Sequence, residues 1–425
     1  MVDQKAPING LLLTGGGARA AYQVGVLEAL VDIRRECSVR HPRNPFPVIT
    51  GTSAGAINAA ALACGADNFE AAVHNVADVW RNFHSGLVYR SDSLGIIRTG
   101  ASWLTLLSLG WLLTCRRRRA NPRSLLDNAP LLALLKSLVP LERLPDLVAR
   151  GHLQALGVTA SSYSSGEHAT FFEGAATIAP WSRSQRFGIR ADITHAHLMA
   201  SSAIPFLFPA WPLPVDEGVH YFGDGSMRQS APIAAPIHLG AERILAIGAG
   251  RMHEPREGHG SAGASTYPTV AQIAGHTLSN IFLDSLAVDV ERVRRINHTV
   301  GLVPPAARET STLKHIELLQ ISPSKRIDEI AAQHIGDMPR PVRALLRAVG
   351  VTSDKSDYQG AALASYLLFE ADFTRELMAL GRADAERKRA RICAFFGWND
   401  PRKPVLTADA AEQPLVERRR DPLRV

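Results

Sequence analysis

The stretch that decides the fold reads Phe46-Pro-Val-Ile-Thr-Gly-Thr-Ser-Ala-Gly-Ala-Ile-Asn-Ala-Ala-Ala-Leu-Ala63, with Ser53 near its centre. Its first five residues have the composition of a strand, and its last eight form an alanine-rich helical sequence. A serine between Gly51 and Gly55, where a strand meets a helix, is typical of a nucleophile elbow. The glycines permit a tight turn, and the helix start places free N–H groups beside the hydroxyl. We therefore expect Ser53 to be a nucleophile.

A second glycine-rich turn comes one predicted helix earlier in the chain. Residues 10–14 have the pattern of a short buried strand, and Gly15-Gly16-Gly17 follow it at once. Residues 21–33 then show the apolar spacing of a helix. The order strand, glycine loop, helix, strand, elbow, helix predicts a parallel sheet covered by helices. Both turns would then emerge at the carboxyl edge of the sheet, where the bare glycine N–H groups can stabilise an oxyanion at Ser53.

Asp224 is the candidate base for this serine. It follows an expected aromatic strand at 220–222 and lies between Gly223 and Gly225, which present a carboxylate from a tight turn. A serine hydroxyl is a weak nucleophile and needs such a proton acceptor. The same residues also fit an ordinary Asp-Gly turn with no catalytic role. The local pattern alone leaves both interpretations open.

The composition indicates a folded protein with a few basic blocks. The chain has 425 residues, 46% of them hydrophobic, which is enough for one large domain with an extension or for two domains. The formal charge is +7, but Arg116–Arg119 and Arg418–Arg420 account for this excess. The rest of the chain is close to neutral. This distribution argues against a nucleic-acid partner and favours local attraction to an anionic membrane.

The cysteines and the N-terminus indicate the compartment. Cys37, Cys64, Cys115 and Cys393 are widely spread, without metal-ligand spacing or a need for disulfides. Residues 1–7 lack the features of a signal peptide. We therefore expect a cytoplasmic protein that needs no metal and no cofactor.

The most apolar window is residues 101–115, and the block Arg116–Arg119 follows it directly. As a helix this window would measure about 22 Å, which is shorter than the ~30 Å hydrocarbon core of a bilayer. A membrane span is therefore not expected. Three interpretations stay open: a buried helix, a lid over the site, and an interfacial segment in which 101–119 makes peripheral membrane contact.

Apolar periodicity predicts further strands and helices along the chain. Strands are expected at 156–160, 169–173, 220–222, 243–248 and 316–321. Helices are expected at 125–138, 193–203, 270–296, 361–380 and 384–396. An extended apolar loop at 205–211 and a mobile loop at 252–267 complete the predicted elements.

Three ordered motifs resemble those of the patatin-like phospholipase family. They are Gly15-Gly-Gly-Ala-Arg19, Gly51-Thr-Ser-Ala-Gly55 and Asp224-Gly225, and residues 200–205 and 232–233 are also similar to that family. The resemblance spans roughly residues 8–300. It implies an α/β fold of three α/β/α layers around a mainly parallel central sheet.

The division of the chain follows from this resemblance and from the composition. We expect an acyl hydrolase domain in residues 1–300 and a mainly helical C-terminal extension in residues 301–400. Residues 401–425 are expected to form a polar, disordered tail.

The resemblance also implies the chemistry: a Ser–Asp dyad without histidine that hydrolyses acyl esters of phospholipids or other lipids through an acyl-enzyme. Carried over, Ser53 is the nucleophile and Asp224 accepts its proton. The oxyanion hole and its supporting residues would then be Gly15, Gly16 and Gly17, with Arg19, Gly51, Gly55 and Gly225. Phe206, Phe208 and Trp211 are candidates either for acyl-chain contact or for the plain core.

Two residues depart from the family pattern. Ala20 replaces a frequent glycine, and Ser226 occupies the third position of an Asp-Gly-Gly or Asp-Gly-Ala motif. Both side chains are small, so we expect the turns to survive, although the hydrogen bonding around Ser226 would differ.

The residues argue against three other functions. A dinucleotide site would need an acidic residue after the second strand, which instead ends Ile49-Thr50-Gly51. An α/β-hydrolase with a Ser–Asp–His triad would draw its histidine from His238, His259, His276 or His298, but its elbow would follow several strands rather than one. A non-catalytic lipid-binding scaffold would be expected to lose Ser53 or Asp224, and both are present.

Overall fold

The computed structural model describes residues 7–39, 44–90, 124–250, 285–304, 307–308, 313–348, 351 and 358–402. The segment 101–119, the loop 252–267, the first part of the helix 270–296 and almost all of the tail 401–425 lie outside the described residues.

A mixed sheet with ten described strands forms the centre of the protein. The strands are β1 (Asn9–Leu13), β2 (Val48–Thr52), β3 (Ala155–Ser162), β4 (His168–Gly174), β5 (Trp181–Arg183), β6 (Arg186–Arg190), β7 (Trp211–Val215), β8 (Gly218–Asp224), β9 (Arg243–Ile247) and β10 (Glu317–Ile321). Their order is β10-β9-β1-β2-β3-β4-β6-β5, and β8 pairs with the end of β3 and with β7. All neighbours from β10 to β3 are parallel. The predicted mainly parallel sheet is confirmed.

Helices cover the sheet. They are α1 (Ala21–Glu36), α2 (Ala54–Cys64), α3 (Phe69–Arg81), α4 (Ala129–Leu138), α5 (Leu144–Ala149), α6 (His195–Ser201), α7 (Ala234–His238), α8 (Ser285–Leu302), α9 (Ile327–His334), α10 (Arg340–Ala348), α11 (Tyr358–Ser365), α12 (Ala371–Arg387) and α13 (Arg389–Phe396). Every residue of β2 is buried. A central strand that is covered on both faces must be apolar or have its polar groups paired, and here the Thr50 hydroxyl donates to the Leu11 carbonyl while that of Thr52 bonds to the Gln229 side chain.

The register of the central strands brings three loops to one edge. Leu13 at the end of β1 lies opposite Gly51 in β2, so the glycine loop and the elbow begin side by side. The next strand, β3, runs parallel to β2, and the antiparallel β8 reaches its far end with Asp224 opposite Ala160. The glycine loop, Ser53 and Asp224 therefore meet where the parallel strands end, which is the usual ligand edge of such sheets.

The C-terminal helix α12 packs along α1 in the N-terminal region. A side chain at Gly25 of α1 would collide with the backbone carbonyl of Met378 in α12, so only glycine permits this approach. The Tyr22 hydroxyl donates a 2.9 Å hydrogen bond to Asp384, and Phe373 and Leu377 are fully buried. Residues beyond 300 thus share a core with the first helix, and β10 extends the central sheet. The proposed boundary near residue 300 stays a prediction.

Three helix predictions need correction. The helix expected at 361–380 is two helices, α11 and α12, because the carbonyl of Tyr366 between them accepts the N–H of Ala18 instead of a helical donor. The helix expected at 125–138 begins only at Ala129, since the N–H groups of residues 125 and 126 bond to the carbonyls of residues 206 and 207. The helix expected at 384–396 breaks at Lys388, between α12 and α13.

The other expected strands and helices hold to within about six residues in the described ranges. The loop at 205–211 is not extended: the N–H groups of residues 207 and 208 bond to the carbonyl of Ile204, and Trp211 begins β7. In the described part of the chain, no helix is both long and apolar enough to cross a bilayer.

Candidate active site

Ser53 occupies a strained turn between β2 and α2. Its φ is 56° and its ψ is −132°, which an L-residue rarely adopts and which costs about 1–3 kcal/mol. Gly51 and Gly55 make the turn possible, because a side chain at Gly51 would meet the backbone of residues 55 and 56, and one at Gly55 would meet the carbonyls of residues 13 and 14. Ser53 is buried but lines a cavity that opens to the surface. This geometry is that of the predicted nucleophile elbow.

Asp224 ends β8 and is fully buried. Its Oδ1 accepts a 2.9 Å hydrogen bond from the N–H of Ser226, so the turn survives the serine at that position. Burial raises the pKa of the Asp224 carboxyl to about 6, and the neighbouring Ser53 hydroxyl acts in the opposite direction. Oδ2 has no hydrogen bond of normal geometry to any residue that the structure describes. A carboxyl with these properties can accept a proton near neutral pH.

The C-terminal end of α6 and the residues directly after it contact both Ser53 and Asp224. The N–H of Ser53 donates a 2.8 Å hydrogen bond to the Oγ of Ser201, and the N–H of Asp224 donates a 2.9 Å bond to the carbonyl of Ala203. Ser201 Oγ in turn donates to the carbonyl of Thr159 in β3. The sequence marked residues 200–205 as similar to the family but assigned them no role. Only the folded chain shows that they accept hydrogen bonds from the backbone N–H groups of both Ser53 and Asp224.

Two further contacts hold the turn around Asp224, and neither was predicted from the sequence. The Gln229 side chain donates a 2.9 Å hydrogen bond to the hydroxyl of Thr52, the residue before Ser53. The Nε2 of His168 lies 3.1 Å from the carbonyl of Gly225. Burial lowers the pKa of His168 to about 4, so the neutral ring donates this bond at pH 7.

The glycine loop runs from Gly15 to Gly17, directly after β1. Gly17 has a φ of 55°, and a side chain there would collide with the carbonyl of Tyr366. The N–H groups of these glycines form no hydrogen bond within the described ranges. Gly17 and Ser53 line the same cavity. The loop thus offers N–H donors at the same edge of the sheet as Ser53, and one of them belongs to a residue of the shared cavity.

Arg19 points away from the cavity and is almost completely buried. Its guanidinium donates to the Oγ of Ser365 at 2.7 Å and to the carboxylate of Asp328 at 2.5 Å, and it stacks over the Tyr366 ring at 4.1 Å. The residue therefore supports the loop from behind and has no contact that would place it among the reacting groups.

Comparison with known proteins agrees with this geometry. The family model described as patatin-like phospholipase matches residues 11–237, which is more than half of the chain. The chain belongs to the patatin-like phospholipase family. No curated protein matches it at a significant level.

Two solved structures are similar to this patatin-like chain, at a low level. VipD from Legionella pneumophila is 13% identical, with 88% of this chain and 67% of that chain covered and a TM-score of 0.28. ExoU from Pseudomonas aeruginosa, solved with SpcU, is 15% identical, with 94% and 82% covered and a TM-score of 0.22.

The cavity of the patatin-like domain has a volume of about 560 Å³ and begins at Ser53. One face of α2 forms a wall along its whole length, through Ala54, Ile57, Asn58, Ala61, Cys64 and Gly65. Apolar residues of α3, α4 and neighbouring loops complete it, among them Val76, Trp80, Phe83, Leu131, Leu135, Phe208 and Phe369. Of the three aromatic residues considered from the sequence, only Phe208 lines the cavity, whereas Phe206 is 73% exposed.

The described residues also bear on two alternatives, a histidine partner for Ser53 or Asp224 and a metal site. No histidine nitrogen in the described ranges forms a hydrogen bond with Ser53 or Asp224, and His259 and His276 fall outside those ranges. One described group, Cys37, Cys393 and Asp400, could offer three metal-ligand atoms. Asp400 is already paired with Arg389 at 3.0 Å, which disfavours a cation there.

Proposed function

We propose that this protein is a lipid acyl hydrolase in which Ser53 attacks a fatty-acyl ester and Asp224 accepts the Ser53 proton. Family membership supports lipid acyl hydrolysis in general. The observation that carries the dyad is the position of a buried carboxyl, with a pKa raised to about 6, beside a strained serine whose backbone N–H is held by the same short segment, residues 201–203, that holds the N–H of Asp224.

The proposed reaction has two halves. Ser53 Oγ bonds to the ester carbonyl carbon as its proton passes to Asp224, and the N–H groups of Gly15, Gly16 and Gly17 stabilise the oxyanion. The intermediate then expels the alcohol, which takes the proton from Asp224. In the second half, water attacks the acyl-enzyme with Asp224 as base, and the fatty acid leaves as Ser53 regains its proton. No metal or cofactor is needed in these steps.

Two alternative functions, a hydrolase with a Ser–Asp–His triad and a non-catalytic scaffold, receive less support. A Ser–Asp–His triad would need a histidine beside Asp224, and His168, on the neighbouring strand β4, instead bonds to the backbone of Gly225. A non-catalytic scaffold would have no need for a strained serine, because strain of this kind is retained where function depends on it.

The cavity supports an acyl substrate with one long chain. Gly65 lies twelve residues after Ser53, so the α2 wall measures about 18 Å. An extended chain advances ~1.2 Å per bond, and about 15 bonds therefore fit this length. We infer that the cavity takes one acyl chain of about 14–18 carbons.

Ala61 offers a test of this inference, because it lines the cavity about two helical turns from Ser53. Ala61→Phe should fill the distal half of the cavity. We expect kcat/KM for a C16 ester to fall at least ~10-fold, because each buried methylene contributes ~0.8 kcal/mol, while a C8 ester is hydrolysed as before. An unchanged ratio between the two esters would exclude this cavity as the acyl site.

We also propose that residues 101–119, which lie outside the described residues, bring the enzyme to anionic lipid. The support is the sequence alone: an apolar window with two tryptophans followed by Arg116–Arg119.

Hydrolysis of a short acyl ester by single-site variants tests the dyad. Ser53→Ala and Asp224→Asn should each lose activity by at least ~10³-fold. His168→Asn should lose much less, because His168 touches only the backbone of the turn. Retained turnover in Ser53→Ala would refute the nucleophile, and loss of turnover on mutation of His238, His259, His276 or His298 would favour the triad.

A further inference from the structure

The C-terminal region contacts the back of the glycine loop at three points. The N–H of Ala18 donates a 3.1 Å hydrogen bond to the carbonyl of Tyr366. Gly17 approaches the same carbonyl so closely that no side chain fits between them. The Arg19 guanidinium stacks over the Tyr366 ring. Three consecutive residues, Gly17 to Arg19, thus contact Tyr366, which lies beyond the range 11–237 that the family model matches.

A buried ion pair holds this contact in place. The Arg19 side chain is 1% exposed and that of Asp328 is 19% exposed, and they meet at 2.5 Å. The remaining guanidinium donors reach Ser365 Oγ at 2.7 Å and the carbonyl of Ala362 at 3.2 Å. Arg19 has no other carboxylate partner among the described residues. Without Asp328 this buried charge would lack compensation, and the loop that carries it would have to move.

The path of the chain in the C-terminal region explains how it reaches the glycine loop. The chain leaves its helical path after Ser365 and forms a non-helical link to Ala371, which frees the Tyr366 carbonyl for Ala18. The same link places Phe369 in the wall of the cavity, against Trp80 and Phe83. One short segment therefore touches both the glycine loop and the acyl cavity.

We propose that Asp328, Ser365 and Tyr366 are positioning residues for the oxyanion loop, so that the region beyond residue 300 completes the active site. They hold Arg19 and the backbone of Gly17 and Ala18, and thereby aim the glycine N–H groups at the oxyanion formed on Ser53. This inference rests on the proposed function. Donors that are displaced by about 1 Å can lose ~100-fold in rate while the substrate still binds, so the effect belongs to kcat rather than to KM.

The test compares two variants with a matched control. Asp328→Asn removes the charge that faces Arg19. Ser365→Ala removes the acceptor of the Arg19 Nε hydrogen bond, together with the bond that the Ser365 hydroxyl donates to the Ala362 carbonyl, and keeps the ion pair. The control, Asp337→Asn, makes the same chemical change in the same region, but Asp337 is half-exposed and pairs with His334. A fluorophosphonate probe, reacted to completion, counts the competent active sites in each preparation, and kcat is expressed per counted site.

A merely structural role would lower the number of counted sites and leave kcat per site unchanged. We expect kcat per site to fall ~10- to 100-fold in Asp328→Asn and about 3- to 10-fold in Ser365→Ala, with KM within about 3-fold of wild type. Asp337→Asn should stay within 2-fold in every parameter.

The proposal is overturned if Asp328→Asn and Ser365→Ala both keep kcat per site within 2-fold of wild type. If Asp328→Asn does not fold, Ser365→Ala decides alone. A failure of the proposed function has a different signature: wild type would carry no label on Ser53, or Ser53→Ala would stay active, and both proposals would then fall together.

Discussion

The backbone N–H of Ser53 donates a 2.8 Å hydrogen bond to the Oγ of Ser201, and the same hydroxyl donates a 2.6 Å bond to the carbonyl of Thr159. Both bonds are buried. One side chain thus connects the strained elbow to the neighbouring strand β3. Two residues later, the carbonyl of Ala203 accepts the N–H of Asp224. The relative position of Ser53 and Asp224 therefore depends on the three consecutive residues 201–203.

Ser201→Ala should weaken both stability and catalysis. It leaves the N–H of Ser53 and the carbonyl of Thr159 buried without a partner, which costs about 1–3 kcal/mol in the free energy of unfolding. We expect kcat to fall about 10-fold or more, because the elbow loses its anchor. Urea unfolding and ester hydrolysis measure the two effects.

The control for this prediction is Ser161→Ala. Ser161 is also buried on the β3 side of the site, but its hydroxyl has no hydrogen-bond partner in the part of the chain that the structure describes. Its removal should change kcat by less than 2-fold. Equal losses of kcat in the two variants would show that the Ser201 network has no special role.

Asp224→Asn should abolish activity and yet stabilise the protein at pH 7.5. Burial raises the pKa of the folded Asp224 from its model-compound value of 3.8 to about 6. The folded state therefore holds this proton more tightly than the unfolded state does. The stability that this group contributes is largest below about pH 4 and is lost as the pH rises through about 6. The neutral asparagine avoids that loss, which is about 3 kcal/mol at most.

The measurement is urea unfolding of both proteins across the pH range 4–8. The free energy of unfolding of the variant, relative to that of wild type, should rise between about pH 4 and 6 and stay constant at higher pH. The kcat/KM of wild type should fall as the pH drops below about 6, since the base becomes protonated. A stability difference between variant and wild type that does not change between pH 4 and 6 would show that burial does not raise this pKa.

Ser53→Gly and Ser53→Ala should differ in stability but not in activity. Neither can form an acyl-enzyme, so both should be inactive. Glycine relieves about 1–3 kcal/mol of backbone strain at the φ of 56°, and it loses up to about 1 kcal/mol through the greater freedom of the unfolded chain. We expect Ser53→Gly to be about 1 kcal/mol more stable than Ser53→Ala in urea unfolding.

A second alanine–glycine pair gives the reference for that comparison. Ala60 lies inside α2, where the backbone is an ordinary helix, so Ala60→Gly should destabilise by about 1 kcal/mol or more. If glycine destabilises at both positions, the strain assigned to Ser53 is absent.

Replacement of Arg116–Arg119 by glutamine should weaken binding to vesicles that contain anionic phosphatidylserine. Each basic residue near such a surface contributes about 1 kcal/mol, and the attraction is screened by salt. Sedimentation with vesicles at low and high salt measures the difference, and neutral phosphatidylcholine vesicles are the control. Equal binding of wild type and variant at low salt would refute a membrane role for this block.

The sequence predicted the elements that depend on local chemistry. Glycines at 51 and 55, between a strand-like and a helix-like stretch, predicted a tight strand-to-helix turn, and the structure has that turn. The glycine loop and the Asp-Gly turn are local in the same sense. The parallel sheet followed from the order of these pieces, because parallel strands need helical crossovers.

The sequence missed some local elements, such as α3, but the missed features of the site depend on contacts between distant parts of the chain. Ser201 is an unremarkable helix-end serine until folding brings it under Ser53. The predicted helix at 361–380 failed because Tyr366 bonds to Ala18, nearly 350 residues earlier in the sequence. Periodicity reports which face of a helix is apolar, but it carries no signal for a single carbonyl that a remote N–H captures.

The most direct test of the central claim is to map the residue that a fluorophosphonate probe modifies. We predict that mass spectrometry of the labelled wild-type protein finds the probe on Ser53 in stoichiometric amount. Labelling should disappear in Ser53→Ala and become much slower in Asp224→Asn. A label on another residue, or unchanged labelling of the Ser53→Ala protein, would contradict the assignment of Ser53 as the nucleophile.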